Sequence, residues 1–231
     1  MNPQALGFVV VAAGSGARFG GPKQWTPLAG RPLLAHSLER LAAAFPDAER
    51  VLVLSAEGLA GTEWPALRER LSAPWRAVEG GATRAASVLA GVEALGSDCG
   101  LAAVHDGARP FPPIKAIRQC VDRLQEDASL AAAIVCAPVT DTLKVLDGDG
   151  GFIERTLDRN LAARAQTPQV CRRARLLEAL RAPGAARCTD EGQALERLGL
   201  RTAATIHNGY NPKITTPVDL DAAEAWLRSD G

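Results

Sequence analysis

The chain of 231 residues is built from short apolar runs that alternate with amphipathic segments, and this alternation limits its fold more than any other feature. Runs such as 8–13, 51–54 and 101–104 have the length of buried strands, and a segment with apolar residues at helical spacing follows each of them. This order predicts βαβ units, which form a mostly parallel sheet with helices on both faces. A chain of this length can bury the core of one domain. We therefore expect a single α/β domain over residues 1–231.

The same patterns predict where the elements lie. We expect strands at 8–13, 51–54, 76–78, 101–104 and 131–135. We expect helices at 32–44, 63–71, 83–95, 113–125, 173–180, 191–198 and from 216 onward. Thr216, Pro217 and Asp219 form the pattern of a capping box around a first-turn proline, which fixes where the last helix begins.

One segment breaks the βαβ rhythm. The runs 143–146 and 152–156 are separated by Asp-Gly-Asp-Gly-Gly, which predicts a β-hairpin with a glycine-rich turn. A hairpin inserted into a parallel sheet projects from the domain, and its exposed edge must be covered, often by a second copy of the chain. We expect an inserted arm at about residues 140–165 that serves homodimerisation.

Charge, cysteine content and hydropathy exclude several classes of protein. Basic and acidic residues number 26 each, so there is no overall field to hold nucleic acid or an anionic membrane. The five cysteines are widely spaced and form no C-x-x-C pair, which argues against a disulfide framework and a zinc site. The sequence shows no secretion signal and no apolar run of membrane-spanning length. We expect a cytoplasmic protein without a nucleic-acid or membrane partner.

A glycine-rich loop follows the first predicted strand, where α/β sheets bind their ligands. Gly14 and Gly16 allow backbone N–H groups to approach an anion closely, and Arg18 and Lys23 add two cations to the same loop. This combination suits a polyphosphate. A plain glycine turn with solvated charges is the alternative interpretation.

Two common nucleotide-binding motifs do not match this loop. The dinucleotide fingerprint G-x-G-x-x-G fails because Phe19 stands at the third glycine and no acidic residue follows the second strand. The P-loop fails because Lys23 follows Pro22 and precedes Gln24. What remains is a loop that brings a lysine and an arginine to a triphosphate, as a nucleotidyltransferase requires.

Seven motifs in the chain resemble those of one enzyme family, in the same order. They are A-A-G-S-G-A-R-F with P-K-Q, then G-G-A-T-R-A-A-S-V, V-H-D-G-A-R-P, A-P-V-T-D-T-L-K, D-R-N with Q-T-P-Q, T-D-E, and N-P-K-I-T-T-P-x-D-L. Over about residues 8–227 the chain resembles the 2-C-methyl-D-erythritol 4-phosphate cytidylyltransferases of the non-mevalonate isoprenoid pathway. The resemblance implies a Rossmann-like nucleotidyltransferase fold.

The resemblance also implies a reaction. A phosphate oxygen of methylerythritol phosphate attacks the α-phosphorus of CTP, which gives 4-diphosphocytidyl-2-C-methyl-D-erythritol and pyrophosphate. That oxygen is already an anion, so the difficulty is electrostatic, and fixed cations together with Mg²⁺ bound mainly through the CTP phosphates would lower the barrier. Two alternatives stay open: a cytidylyltransferase for another polyol phosphate such as ribitol 5-phosphate, and a non-catalytic nucleotide-binding module on the same fold.

By resemblance, four cations are catalytic. Arg18 and Lys23 would stabilise the transition state on the triphosphate, which is the pair that the loop itself indicates, and Lys213 and Arg159 would act on the attacking phosphate. The expected nucleotide-binding residues are Ala12, Ala13, Gly14, Ser15, Gly16, Gly80, Gly81 and Ser87. Ala82 stands where many relatives carry an acidic residue, which removes one side-chain contact but leaves the backbone amides.

The resemblance assigns a second set of residues to the sugar phosphate. They are Asp106, Arg109, Thr142, Arg159, Thr167 and Lys213. Of these, Thr142 at the start of the arm, Arg159 after it and Thr167 on the returning strand would act across a dimer interface. Asp106 is also a candidate Mg²⁺ ligand. We assign no catalytic role to His105 and expect the acidic motif 189–191 to be structural.

Overall fold

A computed structural model describes residues 5–14, 16 and 19–229. The strands are β1 (Ala5–Val11), β2 (Pro27–Leu28), β3 (Arg31–Pro32), β4 (Glu49–Leu54), β5 (Arg76–Glu79), β6 (Cys99–Asp106), β7 (Leu130–Pro138), β8 (Leu143–Leu146), β9 (Ile153–Leu157), β10 (Ala163–Arg172) and β11 (Arg201–Ile206). The helices are α1 (Leu33–Ala44), α2 (Ala56–Ala60), α3 (Glu63–Arg68), α4 (Arg84–Glu93), α5 (Ile114–Glu126), α6 (Arg173–Arg181), α7 (Glu191–Glu196) and α8 (Pro217–Ser229).

Seven strands form the central sheet in the order β11-β7-β10-β6-β1-β4-β5. The pairs β1–β4, β4–β5, β1–β6 and β7–β11 are parallel, whereas β10 runs antiparallel between β6 and β7. The carboxyl ends of the six parallel strands therefore lie at one edge, the edge at which such sheets bind ligands. The predicted α/β fold with a mostly parallel sheet is confirmed.

Each face of the sheet has its own apolar core. On β1, Phe8 and Val10 pack on the face covered by α1, α3 and α5, and Val9 packs on the face covered by α4, α6 and α7. All three side chains are fully buried. Successive side chains of a strand point to opposite faces of the sheet. Because helices cover both faces of this parallel sheet, the side chains on both sides of β1 are apolar.

The sequence patterns predict most of these elements but not all of them. They give no strand at β11, no β2–β3 hairpin and no helix at α2. β11 reads Arg-Thr-Ala-Ala-Thr-Ile and lies at the edge of the sheet, so only alternate residues face the core and no apolar run marks it. Tertiary pairing with β7 over six positions makes this segment a strand.

The arm is a two-stranded antiparallel hairpin, as predicted. β8 pairs with β9 so that Leu143 lies opposite Leu157. Several large apolar side chains around the hairpin are exposed: Leu146, Phe152, Ile153, Leu157 and Leu161. Phe152 is 79% exposed and Leu161 is 89% exposed. The apolar side chains of the arm are therefore left uncovered within a single chain.

The last helix begins with the predicted capping box. The Thr216 N–H donates to Asp219 Oδ2 over 2.8 Å, and the Asp219 N–H donates to Thr216 Oγ1 over 3.4 Å. Ala223 of α8 is buried beside Leu28 and Ile214, so the helix packs on the loops that border the carboxyl edge of the sheet. In the described part of the chain, no helix combines the length and apolar character needed to cross a membrane.

Candidate active site

A cavity of ≈ 600 Å³ opens at the carboxyl edge of the sheet, beside the ends of β1 and β6. The end of β1, the loop after it, the start of α4, the end of β6 and the segment before α8 line the cavity. The predicted site residues among its lining are Ala12, Ala13, Gly14, Gly16, Lys23, Gly81, Ser87, Asp106 and Lys213. Distant parts of the sequence thus meet where the prediction placed the nucleotide.

The glycine loop turns sharply at Gly16. This residue has φ +67°, and a Cβ there would overlap the carbonyl oxygen of Gly21. Its own carbonyl accepts hydrogen bonds from the N–H groups of Phe19 and Gly21, at 2.8 and 3.3 Å. The turn therefore needs glycine at this position. Ser15 and Arg18, two of the predicted site residues, lie outside the described residues.

Lys23 lies in a short 3-10 turn, Lys23–Trp25, and lines the cavity. Its ammonium group donates to the carbonyl oxygen of Ile214 over 2.7 Å. Ile214 is fully buried and its N–H donates to the Ala108 carbonyl over 2.9 Å. Because Ile214 directly follows Lys213, one loop connects the two lysines that the resemblance assigns to the two substrates.

The predicted nucleotide-binding residues Gly80, Gly81 and Ser87 lie beside the glycine loop. A Cβ on Gly80 would lie 2.7 Å from Ser87 Oγ and 2.8 Å from the Cβ of Ala13, so this position has room for glycine only. Ser87 Oγ donates to the Gly81 carbonyl over 3.2 Å and is buried. Gly81 and Ser87 line the cavity, and Gly80 supports them.

Asp106 is the point at which the charges of the site converge. Its Oδ2 lies 2.8 Å from Lys213 Nζ and 3.7 Å from Arg109 Nε, and its Oδ1 lies 3.3 Å from Arg84 Nη2. The Arg109 side chain also donates to the Asn211 carbonyl over 2.8 Å. Burial alone would raise the pKa of Asp106, but Arg84 and then Lys213 lower it well below its usual range. The carboxylate is therefore ionised at neutral pH.

Thr167 and His105 form a hydrogen-bond network that holds the backbone of Asp106 in place. Thr167 is 4% exposed, and its Oγ1 accepts from the Asp106 N–H over 3.0 Å. The same hydroxyl lies 3.1 Å from His105 Nδ1, and His105 Nε2 lies 3.0 Å from the Arg109 carbonyl. A hydroxyl that donates to Nδ1 and an Nε2–H that donates to the carbonyl satisfy every group with a neutral ring. Burial lowers the pKa of His105 to about 4, which agrees with a structural histidine.

Arg84 lies at the site and Glu191 contacts it, although the sequence assigned no role to Arg84 and a purely structural one to the motif that contains Glu191. Arg84 lines the cavity, and its guanidinium contacts both oxygens of Glu191, at 2.6 and 3.1 Å. Glu191 is buried behind it. Both residues lie within motifs of the resemblance, G-G-A-T-R and T-D-E, and a buried glutamate needs a cationic partner, but the sequence does not show which arginine that is.

Five described predicted site residues are not among those that line the cavity. Arg109 and Thr167 contact Asp106, Gly80 packs against Ser87, and the other two make no such contact. Thr142 and Arg159 are exposed near the arm, and neither is among the residues that line the cavity. Arg159 Nη1 donates to the Thr140 carbonyl over 2.7 Å. Within one chain the structure therefore separates these residues from Lys23 and Asp106, as it must if they serve another copy.

The described residues offer little to a bare metal ion. They contain no cluster of three or more His, Cys, Asp and Glu side chains that could hold one. Among the described residues that line the cavity, Asp106 is the one carboxylate, and both of its oxygens already face cations. A divalent ion bound there would have to compete with Lys213 and Arg84 for the carboxylate.

Comparison with known proteins agrees with this geometry. Residues 6–229 match the family model described as IspD: 2-C-methyl-D-erythritol 4-phosphate cytidylyltransferase. Proteins of that name from Xanthomonas euvesicatoria pv. vesicatoria (strain 85-10) and Stenotrophomonas maltophilia (strain R551-3) are 41% and 40% identical to the chain over 230 residues. Each alignment covers 96% of the chain, with 85% and 97% of the respective relative. The crystal structure of 2-C-methyl-D-erythritol 4-phosphate cytidylyltransferase from Thermus thermophilus superposes with a TM-score of 0.72 at 31% identity, covering 95% of this chain and 98% of the other.

Proposed function

The chain belongs to the IspD family of 2-C-methyl-D-erythritol 4-phosphate cytidylyltransferases, and from this premise we infer its reaction. It transfers the cytidylyl group of CTP to 2-C-methyl-D-erythritol 4-phosphate and releases pyrophosphate, in isoprenoid precursor biosynthesis. The observation that carries this conclusion is the cavity in which Lys23, Lys213 and Asp106 meet beside the glycine loop. It offers fixed cations to two anionic substrates at the ligand-binding edge of the sheet.

The proposed mechanism needs position and charge, and it needs no general base. An oxygen of the sugar phosphate forms a bond to the α-phosphorus of CTP, the bond from that phosphorus to the bridging oxygen breaks, and the electron pair leaves with pyrophosphate. Lys23, with Arg18, holds the triphosphate and neutralises the growing charge. Lys213 orients the attacking phosphate, and Asp106 holds Lys213 in place through the 2.8 Å contact.

We propose that Mg²⁺ enters with CTP. The phosphates supply oxygen ligands of the kind that Mg²⁺ prefers, whereas the cations around Asp106 disfavour a site on the protein. When bound, the ion neutralises part of the charge on the phosphates. The residues of this chain then act on a nucleotide whose charge is already reduced.

We also propose that the protein is a homodimer in which the arm completes the partner's site. The exposed apolar side chains of the arm support this assembly, and so does the position of Thr142 and Arg159 away from their own cavity. The balanced charge of the chain supports an enzyme that acts on small anions rather than on nucleic acid or membranes. The free cysteines of the described residues support our proposal that it works in the reducing cytoplasm.

The direct test is pyrophosphate release from CTP and methylerythritol phosphate with Mg²⁺ present. We expect turnover by the wild type, and a loss of about 10²–10³-fold in kcat for Lys23→Ala, since a preorganised cation at the reacting phosphate is removed. Lys115→Ala, on the exposed side of α5, is the matched control and should keep full activity. Undiminished turnover by Lys23→Ala would contradict the proposed site.

The same assay distinguishes the alternative functions. Ribitol 5-phosphate offered at equal concentration should compete poorly with methylerythritol phosphate; if it is the better substrate, the chain serves another polyol phosphate. Binding of CTP without any release of pyrophosphate would indicate a non-catalytic nucleotide-binding module.

A further inference from the structure

An ion pair joins the first residue of α7, Glu191, to the first residue of α4, Arg84, whose side chain is 29% exposed. The Glu191 side chain is 1% exposed, and its oxygens lie 2.6 Å from Arg84 Nη1 and 3.1 Å from Arg84 Nη2. This two-point contact is the geometry of a guanidinium bound to an ionised carboxylate. Burial raises the pKa of Glu191 and Arg84 opposes that shift. Glu191 is not among the residues that line the cavity, whereas Arg84 is.

Arg84 links Glu191 to Asp106, which lines the cavity. Its Nη2 also lies 3.3 Å from Asp106 Oδ1, while Lys213 Nζ lies 2.8 Å from Asp106 Oδ2. A line of alternating charges therefore runs from Glu191 through Arg84 and Asp106 to Lys213. With Glu191 in place, Arg84 contacts Asp106 through Nη2 only, and that nitrogen also contacts Glu191. Without it, the whole guanidinium fork could turn to Asp106 and displace Lys213.

We propose, on the basis of the proposed function, that Glu191 is a positioning residue for the transfer reaction. By fixing the guanidinium of Arg84 it holds Asp106 in the orientation that presents Lys213 to the attacking phosphate. It touches neither substrate. Glu191 acts on Lys213 through Arg84 and Asp106. Its loss should therefore lower kcat/KM for the sugar phosphate and leave KM for CTP unchanged.

The ions around Asp106 also predict how the pH dependence of kcat/KM changes when Arg84 and Glu191 are replaced. Arg84 is the first of the cations that lower the pKa of Asp106. The charged and titratable groups that face Asp106 are Arg84, Lys213, Arg109, Glu191 and the neutral ring of His105. Removal of Arg84 together with Glu191 takes away the adjacent cation and a more distant anion. The pKa of Asp106 then rises, and the acid limb of the kcat/KM profile moves to higher pH.

Paired variants separate positioning from stability. Arg84→Met leaves the buried carboxylate of Glu191 without its counterion and should lower Tm strongly. Glu191→Leu leaves Arg84, which is 29% exposed and still contacts Asp106, so it should lower Tm less. The double variant Arg84→Met/Glu191→Leu removes both charges and should recover a Tm close to the wild type. We expect its kcat/KM for methylerythritol phosphate to stay about 10²-fold low, as for a misplaced reacting group, with KM for CTP near the wild-type value.

The control variant is Glu93→Gln, which breaks the 2.7 Å ion pair between α4 and Arg181 of α6, away from the cavity. It should keep both Tm and activity. A double variant with wild-type Tm, wild-type kcat/KM and an unmoved acid limb would overturn the inference, since the pair would then be structural only.

A structural readout separates this inference from the proposed function. The crystal structure of Glu191→Gln should show Arg84 turned toward Asp106 and the Lys213 contact broken. If Lys213 stays 2.8 Å from Asp106 in that variant, the inference fails whatever the enzyme turns over. Absence of pyrophosphate release by the wild type would instead contradict the proposed function.

Discussion

At the scale of single residues, Asp106 has the largest predicted effect on the site. It is the shared counterion of Arg84, Arg109 and Lys213, so Asp106→Asn leaves three cations around a neutral amide. We expect kcat/KM for methylerythritol phosphate to fall about 10²-fold because Lys213 loses its support. We expect the free energy of unfolding to fall by about 1–3 kcal/mol at pH 7, the range for loss of a buried charged hydrogen-bond partner. Asp122→Asn, on the exposed side of α5, is the control for both measurements.

The pH dependence of that stability difference follows from the lowered pKa of Asp106 in the folded chain. Its contribution is fully present above the unfolded pKa, near 3.9, and is lost as the pH falls below that value toward the folded pKa. Urea unfolding of the wild type and Asp106→Asn should therefore differ by a constant amount above about pH 5 and converge in stronger acid. A gap that widens in acid would contradict the ion network.

Apart from the family resemblance, a residue could be assigned a role from the sequence only where its chemistry is local. Lys23 was identifiable because a cation in a glycine loop after the first strand suits a polyphosphate. Arg84 and Glu191 are 107 positions apart, and nothing in either neighbourhood specifies their pairing. The contact of Thr167 could not be predicted either. Its hydroxyl accepts a hydrogen bond from the Asp106 N–H only because β10 lies beside β6.

At the scale of elements, α8 offers a test of how a local signal stabilises the fold. Asp219 Oδ2 accepts from the N–H groups of Thr215 and Thr216, and from Thr215 Oγ1, at 2.7–2.8 Å. These bonds lower the pKa of Asp219 to about 2. Asp219→Asn should lower the free energy of unfolding by about 1 kcal/mol, as for the loss of a helix cap. The effect should be full above about pH 4 and vanish toward pH 2, because the ionised form makes the bonds.

The matched control for that variant is Asp221→Asn, two positions further along the same helix. Asp221 is exposed and makes no capping contact with Thr215 or Thr216. Thermal unfolding of both variants at pH 7 and at pH 2.5 separates the cap from a general effect of charge. Equal losses of Tm for the two variants would contradict a specific capping role.

Element prediction succeeded where the pattern is set by burial on both faces. β1, β4 and β6 are continuous apolar runs because helices cover both sides of the sheet. β11 lies at the edge with alternating exposure, and α2 has five residues, too few for a periodic stripe. Such elements depend on their neighbours in space more than on their own composition.

At the scale of the whole molecule, the balanced charge of the chain hides a strongly uneven distribution. The 26 basic and 26 acidic residues cancel in sum, yet Arg84, Arg109 and Lys213 all contact the Asp106 carboxylate, and Lys23 lines the same cavity as this carboxylate. Net charge therefore argues against a polyanionic macromolecule without arguing against a small anionic ligand. A cavity of this kind concentrates cations where a nucleotide can be enclosed.

The proposed dimer makes a quantitative prediction for mixed chains. If each site uses Lys23 of one chain and Arg159 of its partner, a heterodimer of Lys23→Ala and Arg159→Ala chains has one intact site and one with both defects. Random assortment of equal amounts then gives about a quarter of the wild-type activity, although each variant alone is nearly inactive. Differently tagged chains, co-expressed and purified through both tags, show that heterodimers have formed. Because a site built within one chain would leave every site in the mixture defective, purified heterodimers without activity would mean that Arg159 does not act in the partner's site.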